Sequence, residues 1–355
     1  MTKRVAIICG GRSSEHEISC VSAGGVTAAI DRSLYEPILI GITRDGSWVL
    51  IPEGQQMAIK DGVLPEVPTD APKVVADVSG FSVGGKSLNI DVVFPLLHGP
   101  YGEDGTIQGL LEMANIAYVG SGVLASAVAM DKSFAKPIFA SHGIKTAPGL
   151  VVKKSEWQSD KGSITKAVEA LGLPVFVKPA RGGSSRGTTK VKTIDALSAA
   201  ISEAHKFDPK AIIEKAVTGA EIECAVLEID GKPQASVIGQ IHIDSKFEFY
   251  DFEAKYLDGA TSIELPAPIS EAAADEIKAS AIKAFLALGC SGLARVDFFL
   301  TQENQVIINE LNTMPGFTST SVFPKMWAAT GVGYKEVITY LLNTALTRNN
   351  GVLGN

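Results

Sequence analysis

The sequence lacks several features that would mark it for a membrane, for nucleic acid or for an oxidising compartment. No run reaches the roughly 18 apolar residues that a membrane helix needs. There is no excess of basic charge: the net charge is −7 over 355 residues. That leaves no electrostatic footprint for nucleic acid. Cysteine is scarce. Cys9, Cys20, Cys224 and Cys290 share neither a metal-type spacing nor a short disulfide pattern, and read as reduced, mostly buried thiols of a cytoplasmic protein. The apolar run within the first nine residues is too short for a signal peptide. Internal repeats and low-complexity tracts are missing as well.

What is present is a globular composition, 46% hydrophobic and 20% charged, with 35 glycines. The length exceeds one ordinary core, so two or three domains are expected. Strand and helix patterns alternate. Arg4–Cys9, a helix from Glu17 to Ile30 and a strand from Glu36 to Thr43 form a βαβ opening, which implies a parallel sheet with ligand space at its strand ends. Residues 52–72 hold four prolines and read as an excursion. Residues 244–268 read as a long irregular connection, rich in charge and aromatics, of the kind that forms lids. Ser270 caps a helix that runs to Leu288.

Four motif matches fail on context. Gly80–Ser87 fits the phosphate-loop pattern, but a strand follows where a helix N-terminus is required, so it reads as a hairpin turn. Gly183–Gly187 fits the hydrolase elbow around Ser185, yet the β-branched stretch after it is also strand-like. Gly120–Ala125 fits the dinucleotide fingerprint without the strand-ending acid that should follow. His16 and Glu17 do not open a zinc helix, because Cys20 stands at the fifth position.

The chemistry concentrates near the C-terminus. Leu293–Leu300 and Val306–Leu311 read as paired strands joined by the polar turn 301–305. Asp297 lies on the first strand, and Glu310 and Asn312 close the second. Three oxygen ligands at one end of a sheet suit Mg²⁺ shared with a nucleotide; solvated residues on an open face are the plain alternative. Lys178 ends a buried strand, where a cation is costly unless it meets an anion. It leads into the glycine-rich loop 180–187, which is either a flap over phosphates or a plain hairpin loop. Lys132 supplies a second lysine. The strand Ala211–Lys215 turns polar and runs out at Gly219, as a strand edge facing a purine would.

Eight blocks in order then resemble the D-alanine–D-alanine ligase family of the ATP-grasp superfamily. They are Gly10–Ser19, Leu97–Gly105, Gly120–Lys132, Val177–Pro179 with its loop, Ile213–Lys215, Tyr250–Tyr256, Ala294–Asp297 and Asn309–Thr318. The resemblance implies a mixed α/β, three-domain ATP-grasp fold, with an N-terminal parallel α/β domain over residues 1–123, a central part over 124–213 and a C-terminal part with the lid over 214–355. It implies ATP-dependent joining of two D-alanine molecules through an acyl phosphate, for peptidoglycan precursor synthesis, by a cytoplasmic homodimer.

It also implies roles. Asp297, Glu310 and Asn312 resemble ligands of two Mg²⁺ or Mn²⁺ ions. Lys132, Lys178 and Ser185 resemble phosphate contacts, and Lys255 resembles the lid lysine near the γ-phosphate. Glu214, Lys215 and Val217 resemble the adenine edge, and Glu221 the ribose ligand. Glu15, Ser184 and Tyr256 resemble a hydrogen-bonded set that holds the first D-alanine. Arg295 and the Gly316 N–H resemble oxyanion stabilisers, and His98 and Ser321 resemble contacts of the second substrate. Tyr256 looks like the D-alanine-using type, whereas Arg186 departs from the small or apolar residue expected in the flap. A non-catalytic ATP-grasp binding protein is the competing class.

Overall fold

The computed structural model describes residues 2–243 and 261–348. The chain opens with β1 (Lys3–Gly10), α1 (His16–Ala29), β2 (Tyr35–Ile42) and β3 (Trp48–Leu50). A three-stranded meander follows: β4 (Val74–Asp77), β5 (Gly80–Val83) and β6 (Lys86–Ser87). The phosphate-loop match is therefore the turn of a hairpin, as its sequence context requires. Then come β7 (Val92–Pro95), α2 (Thr106–Met113) and β8 (Ala117–Tyr118). The first sheet has the order β3-β2-β1-β7-β8 and is parallel except at β3.

Every residue of β1 from Val5 to Cys9 is fully buried, the continuous apolar run expected of a strand covered on both faces. At its end Gly10 has φ +87°, and a Cβ there would sit 2.3 Å from the Ile42 carbonyl. Only glycine lets the chain turn here toward the site. The proline-rich excursion is loop, but it is anchored: Met57 and Val67 are buried in the first core, and Val67 covers Gly10 and Gly41.

The middle of the chain carries α3 (Val123–Met130), α4 (Lys132–Ser141), β9 (Gly149–Lys153), α5 (Lys154–Ser159), α6 (Lys161–Leu171), β10 (Val175–Pro179), β11 (Thr189–Val191), α7 (Leu197–Ala204) and β12 (Lys210–Lys215). The second sheet has the order β11-β10-β12-β9 and is antiparallel throughout. β9 and α5 were not legible in the sequence. The expected boundary between residues 213 and 214 falls inside β12.

The third sheet, also antiparallel, has the order β15-β14-β13-β16-β17. It comprises β13 (Ala220–Ile229), β14 (Lys232–Ile243), β15 (Thr261–Glu264), β16 (Leu293–Leu300) and β17 (Val306–Asn312). β15 corrects part of the irregular reading of 244–268: its four residues alternate in burial and pair with β14. Helix α8 (Glu271–Ala287) is capped by Ser270, whose side chain accepts from the Ala273 N–H. Its Ile277, Ala281, Ala284 and Phe285 join one core with β16, β17, Ala135 and Phe139. α9 (Val322–Thr330) and α10 (Tyr334–Thr347) instead pack into the core of the first sheet. That shared core locks the first and third sheets together around the loop that follows β17.

Candidate active site

The site begins with a fault in β17. Along β16, Arg295, Asp297 and Phe299 lie on the more open face while Val296, Phe298 and Leu300 are buried. Asp297 pairs with Glu310, but Phe298 pairs with Ile308, so Asn309 is an extra residue. Such a bulge re-aims the side chains beyond it. Strict alternation would send Glu310 to the buried side with Val306 and Ile308. The bulge turns Glu310 and Asn312 to the open face, beside Asp297 and Arg295.

The charges there are paired. Arg295 donates Nε and Nη2 to the two oxygens of Asp297, both at 2.7 Å, and its Nε lies 3.3 Å from Glu223 Oε2. Asn312 Nδ2 donates to Asp297 Oδ2 at 3.1 Å. Lys132 Nζ stands 2.8 Å from Glu310 Oε2. Among the described residues no three histidine, cysteine or acidic side chains gather as a metal cluster, since the third donor here is an amide. Two carboxylates and an amide oxygen remain a hard, all-oxygen set of the kind Mg²⁺ takes.

The phosphate side faces this group. Lys178, at the end of β10, lies 3.0 Å from Glu214 Oε2 and donates to Asn309 Oδ1 at 3.3 Å. Lys136, one turn after Lys132 on α4, pairs with the other Glu214 oxygen. Burial alone would raise Glu214, yet the pull of Lys178 and Lys136 and their hydrogen bonds hold it down to about 2. Burial dominates for Lys136 and lowers it despite that partner. Lys132 is also desolvated, but Glu310 outweighs this and raises it. The Lys132 N–H and Nζ donate to the Ala180 and Gly182 carbonyls, which ties α4 to the glycine-rich loop. In that loop Ser184 and Ser185 both take positive φ, 49° and 55°. Non-glycine residues rarely adopt that conformation away from functional sites.

A cavity of about 480 Å³ opens between the second and third sheets. Lys132, Lys178, Ser185, Glu214, Lys215, Val217, Glu221, Asp297 and Glu310 all line it. One expectation needs correction. β12 is no sheet edge, because it is bonded to β10 on one side and β9 on the other, and the Lys215 N–H donates to the Pro148 carbonyl. The Glu214 side chain is held by lysines, and Lys215 Nζ donates to the Gly172 and Leu173 carbonyls. The segment able to face a base begins beyond the strand, at Val217.

A second cavity of about 540 Å³ shares Ser184 and Glu310 with the first. Glu15, His98, Arg295, Asn312, Gly316 and Ser321 line it. Ser184 Oγ donates to Glu15 Oε1 at 2.8 Å, joining the loop to the start of α1 across 169 residues of sequence. Burial lowers the His98 pKa, so its ring is neutral, and Nδ1 donates to the Met314 carbonyl at 3.1 Å. Ser321, the residue before α9, accepts from the Thr318 N–H at 3.1 Å. Lys255 and Tyr256 lie outside the described residues.

Two family models match this chain: one described as D-ala D-ala ligase N-terminus over residues 4–121, and one as D-ala D-ala ligase C-terminus over residues 138–343. The chain belongs to the D-alanine–D-alanine ligase family. The D-alanine–D-alanine ligase of Streptomyces coelicolor is 48% identical, over 98% of this chain and 94% of that protein. The ligase of Mycobacterium ulcerans is also 48% identical, over 98% and 97%. Among solved structures, the VanG D-Ala:D-Ser ligase of Enterococcus faecalis is similar with a TM-score of 0.85 at 36% identity, over 97% of this chain and all of that one. The D-alanine–D-alanine ligase of Coxiella burnetii gives 0.82 at 33% identity, over 97% and 95%. This is the ATP-grasp architecture that the ordered blocks implied.

Within that family frame, four residues escaped the sequence reading. Lys136 was findable, because a lysine four residues after Lys132 shares its helix face. Asn309 depends on the bulge, and Glu223 on pairing between β13 and β16. Glu103 lines the second cavity, and burial together with the Glu15 charge pushes it up to about 8. It lies inside the recognised block Leu97–Gly105, but nothing in that string distinguishes it from Asp104.

Proposed function

We propose that the chain is an ATP-dependent ligase that joins two D-alanine molecules into D-alanyl-D-alanine for peptidoglycan precursor synthesis. The observation that carries this reading is the pair of cavities meeting at Ser184 and Glu310, with lysines on one side and Glu15, Arg295 and Gly316 on the other. ATP belongs in the first and both amino acids in the second. Asp297, Glu310 and Asn312 are the residues that would hold Mg²⁺ or Mn²⁺. Bound there, the metal neutralises charge on the phosphates.

The γ-phosphoryl group passes from ATP to the carboxylate of the first D-alanine, and ADP leaves. The amine of the second D-alanine attacks the acyl phosphate, and inorganic phosphate leaves the tetrahedral intermediate as the peptide bond forms. Lys132 and Lys178 spread charge on the transferring group, which is the chief help such a transfer needs. Glu15 holds the first ammonium and is itself oriented by Ser184. Arg295 and the Gly316 N–H receive the developing oxyanion, and His98 and Ser321 hold the second substrate. Lys255 and Tyr256 close the site from the lid.

The chain works as three units divided near residues 123 and 213, and acts as a homodimer in the cytoplasm. Among the described residues no helix is long and apolar enough to cross a membrane. A coupled assay for ADP release with D-alanine alone, then with D-serine or D-lactate as second substrate, tests the reading. No turnover with D-alanine alone would overturn it.

A further inference from the structure

The loop between β17 and α9 carries Gly316, and its position decides where that N–H points. Three contacts hold the far side of the loop. Tyr334 Oη donates to the Phe317 carbonyl at 2.7 Å. Phe317 itself is fully buried against Phe94 and Phe323. Ser321 Oγ takes the Thr318 N–H. The near side, Met314 and Pro315, has no such aromatic packing.

Met314 is instead gripped at both ends by one segment of the first sheet's domain. Its carbonyl accepts from His98 Nδ1 at 3.1 Å, and its N–H donates to the Glu103 carboxyl. Glu103 Oε2 also accepts from the Gly99 N–H at 2.6 Å. The segment is closed on itself, with the Gly102 and Glu103 N–H groups donating to the Gly99 carbonyl and Gln108 Nε2 donating to the Gly102 carbonyl. The clamp is therefore a rigid loop of one domain fastened to one residue of another, two positions before Gly316.

We propose that Glu103 is a positioning residue: with His98 it clamps Met314 from both sides, and so sets the Gly316 N–H against the reacting carbonyl without touching either substrate. This rests on the ligase reading and on Gly316 as oxyanion donor. At neutral pH Glu103 is a neutral acid, held so by burial and by Glu15. Glutamine, uncharged and of equal length, therefore reproduces its acceptor oxygen. Aspartate is one methylene shorter and cannot reach both Gly99 and Met314.

Transition-state donors act on kcat more than on substrate binding, and losing one outright costs about 10²–10³. Displacing one costs less. The test compares wild type, Glu103→Gln, Glu103→Asp and Glu103→Ala by ADP release with D-alanine, after thermal melts of each. The expected result is a kcat within about threefold of wild type for Glu103→Gln, and a fall on the order of 10- to 100-fold for Glu103→Asp and Glu103→Ala. KM for ATP and for D-alanine stays within about twofold in all of them. A loss seen mainly in KM for D-alanine would make Glu103 a direct substrate contact and overturn the proposal. So would full activity in Glu103→Asp, or a Glu103→Gln variant as slow as Glu103→Ala. Glu103→Asp keeps the test decisive if Glu103→Ala does not fold. If wild type itself fails to turn over D-alanine, it is the ligase reading that falls.

Discussion

Glu214→Gln separates what the charge network does for stability from what it does for catalysis. The carboxylate is 2% exposed and sits between Lys136 and Lys178. Its pKa falls from an ordinary 4.5 to about 2 in the fold, because the two lysines outweigh its burial. That difference is worth about 3 kcal/mol. The sign follows from the depressed folded value. The stabilisation is complete above pH 4.5 and is lost as pH falls toward 2. The amide replacement removes the negative charge and leaves two buried ammonium groups facing each other, a situation that costs about 3–5 kcal/mol in other proteins. Urea unfolding at pH 7 is therefore expected to give a variant destabilised by about 3 kcal/mol. The gap between variant and wild type narrows below pH 4.5. ATP restores part of the loss, since its phosphates replace the missing charge and binding adds about 2.7 kcal/mol at a hundredfold excess over Kd. A difference under about 1 kcal/mol at pH 7, or one that stays constant down to pH 3, would refute the reasoning.

Asp297→Asn and Lys178→Ala are each expected to abolish ADP release while far-UV circular dichroism stays native; full activity in either sinks the site model. Ser270→Ala removes the cap of α8 and should cost about 1 kcal/mol in urea unfolding, with kcat unchanged. Gly10→Ala places a Cβ 2.3 Å from the Ile42 carbonyl at a positive φ, and should yield little soluble protein in expression trials; a normal melting curve would count against the tight turn. Calorimetry of ATP with and without Mg²⁺ should show nucleotide and metal each strengthening the other, by at least fivefold; independent binding would contradict the exchange of partners argued below.

Much of this architecture could be read from one sequence because its elements announce themselves locally. The opening βαβ unit is a fully buried apolar run followed by a helix, and the hairpin of β16 and β17 was bounded correctly by its polar turn. β9 and α5 were lost because Gly149–Ser159 mixes short apolar and charged stretches without a clear period. α9 was lost because Pro324 sits in its first turn. The side chains of the site were legible as an ordered set of motifs, but their pairing was not. Nothing in the string says that β17 bulges at Asn309, and without the bulge Glu310 would point into the core. Nothing says that β12 is interior, which is why its polar end resembled an edge. Long-range contacts such as Ser184 to Glu15 depend on how three sheets are set against one another, and that is decided by shared cores rather than by local pattern.

The pairing itself explains how a site so rich in charge is stable without its ligands. Each cation meant for phosphate is matched with an anion: Lys132 with Glu310, and Lys178 with Glu214. Asp297, meant for metal, is matched with Arg295. Separated and buried, these groups would each cost several kcal/mol. Matched, they hold the second and third sheets at the spacing the nucleotide needs. Polyphosphate alone would compete with Glu310 for Lys132 and leave the carboxylate stranded. Metal alone would take Asp297 and strand Arg295. Arriving together they exchange every partner at once: phosphate takes the lysine, metal takes the carboxylates, and Arg295 is released toward the carbonyl where negative charge develops. The group that stabilises the transition state thus becomes available only when nucleotide and metal are both in place, which ties readiness for chemistry to complete loading of the site.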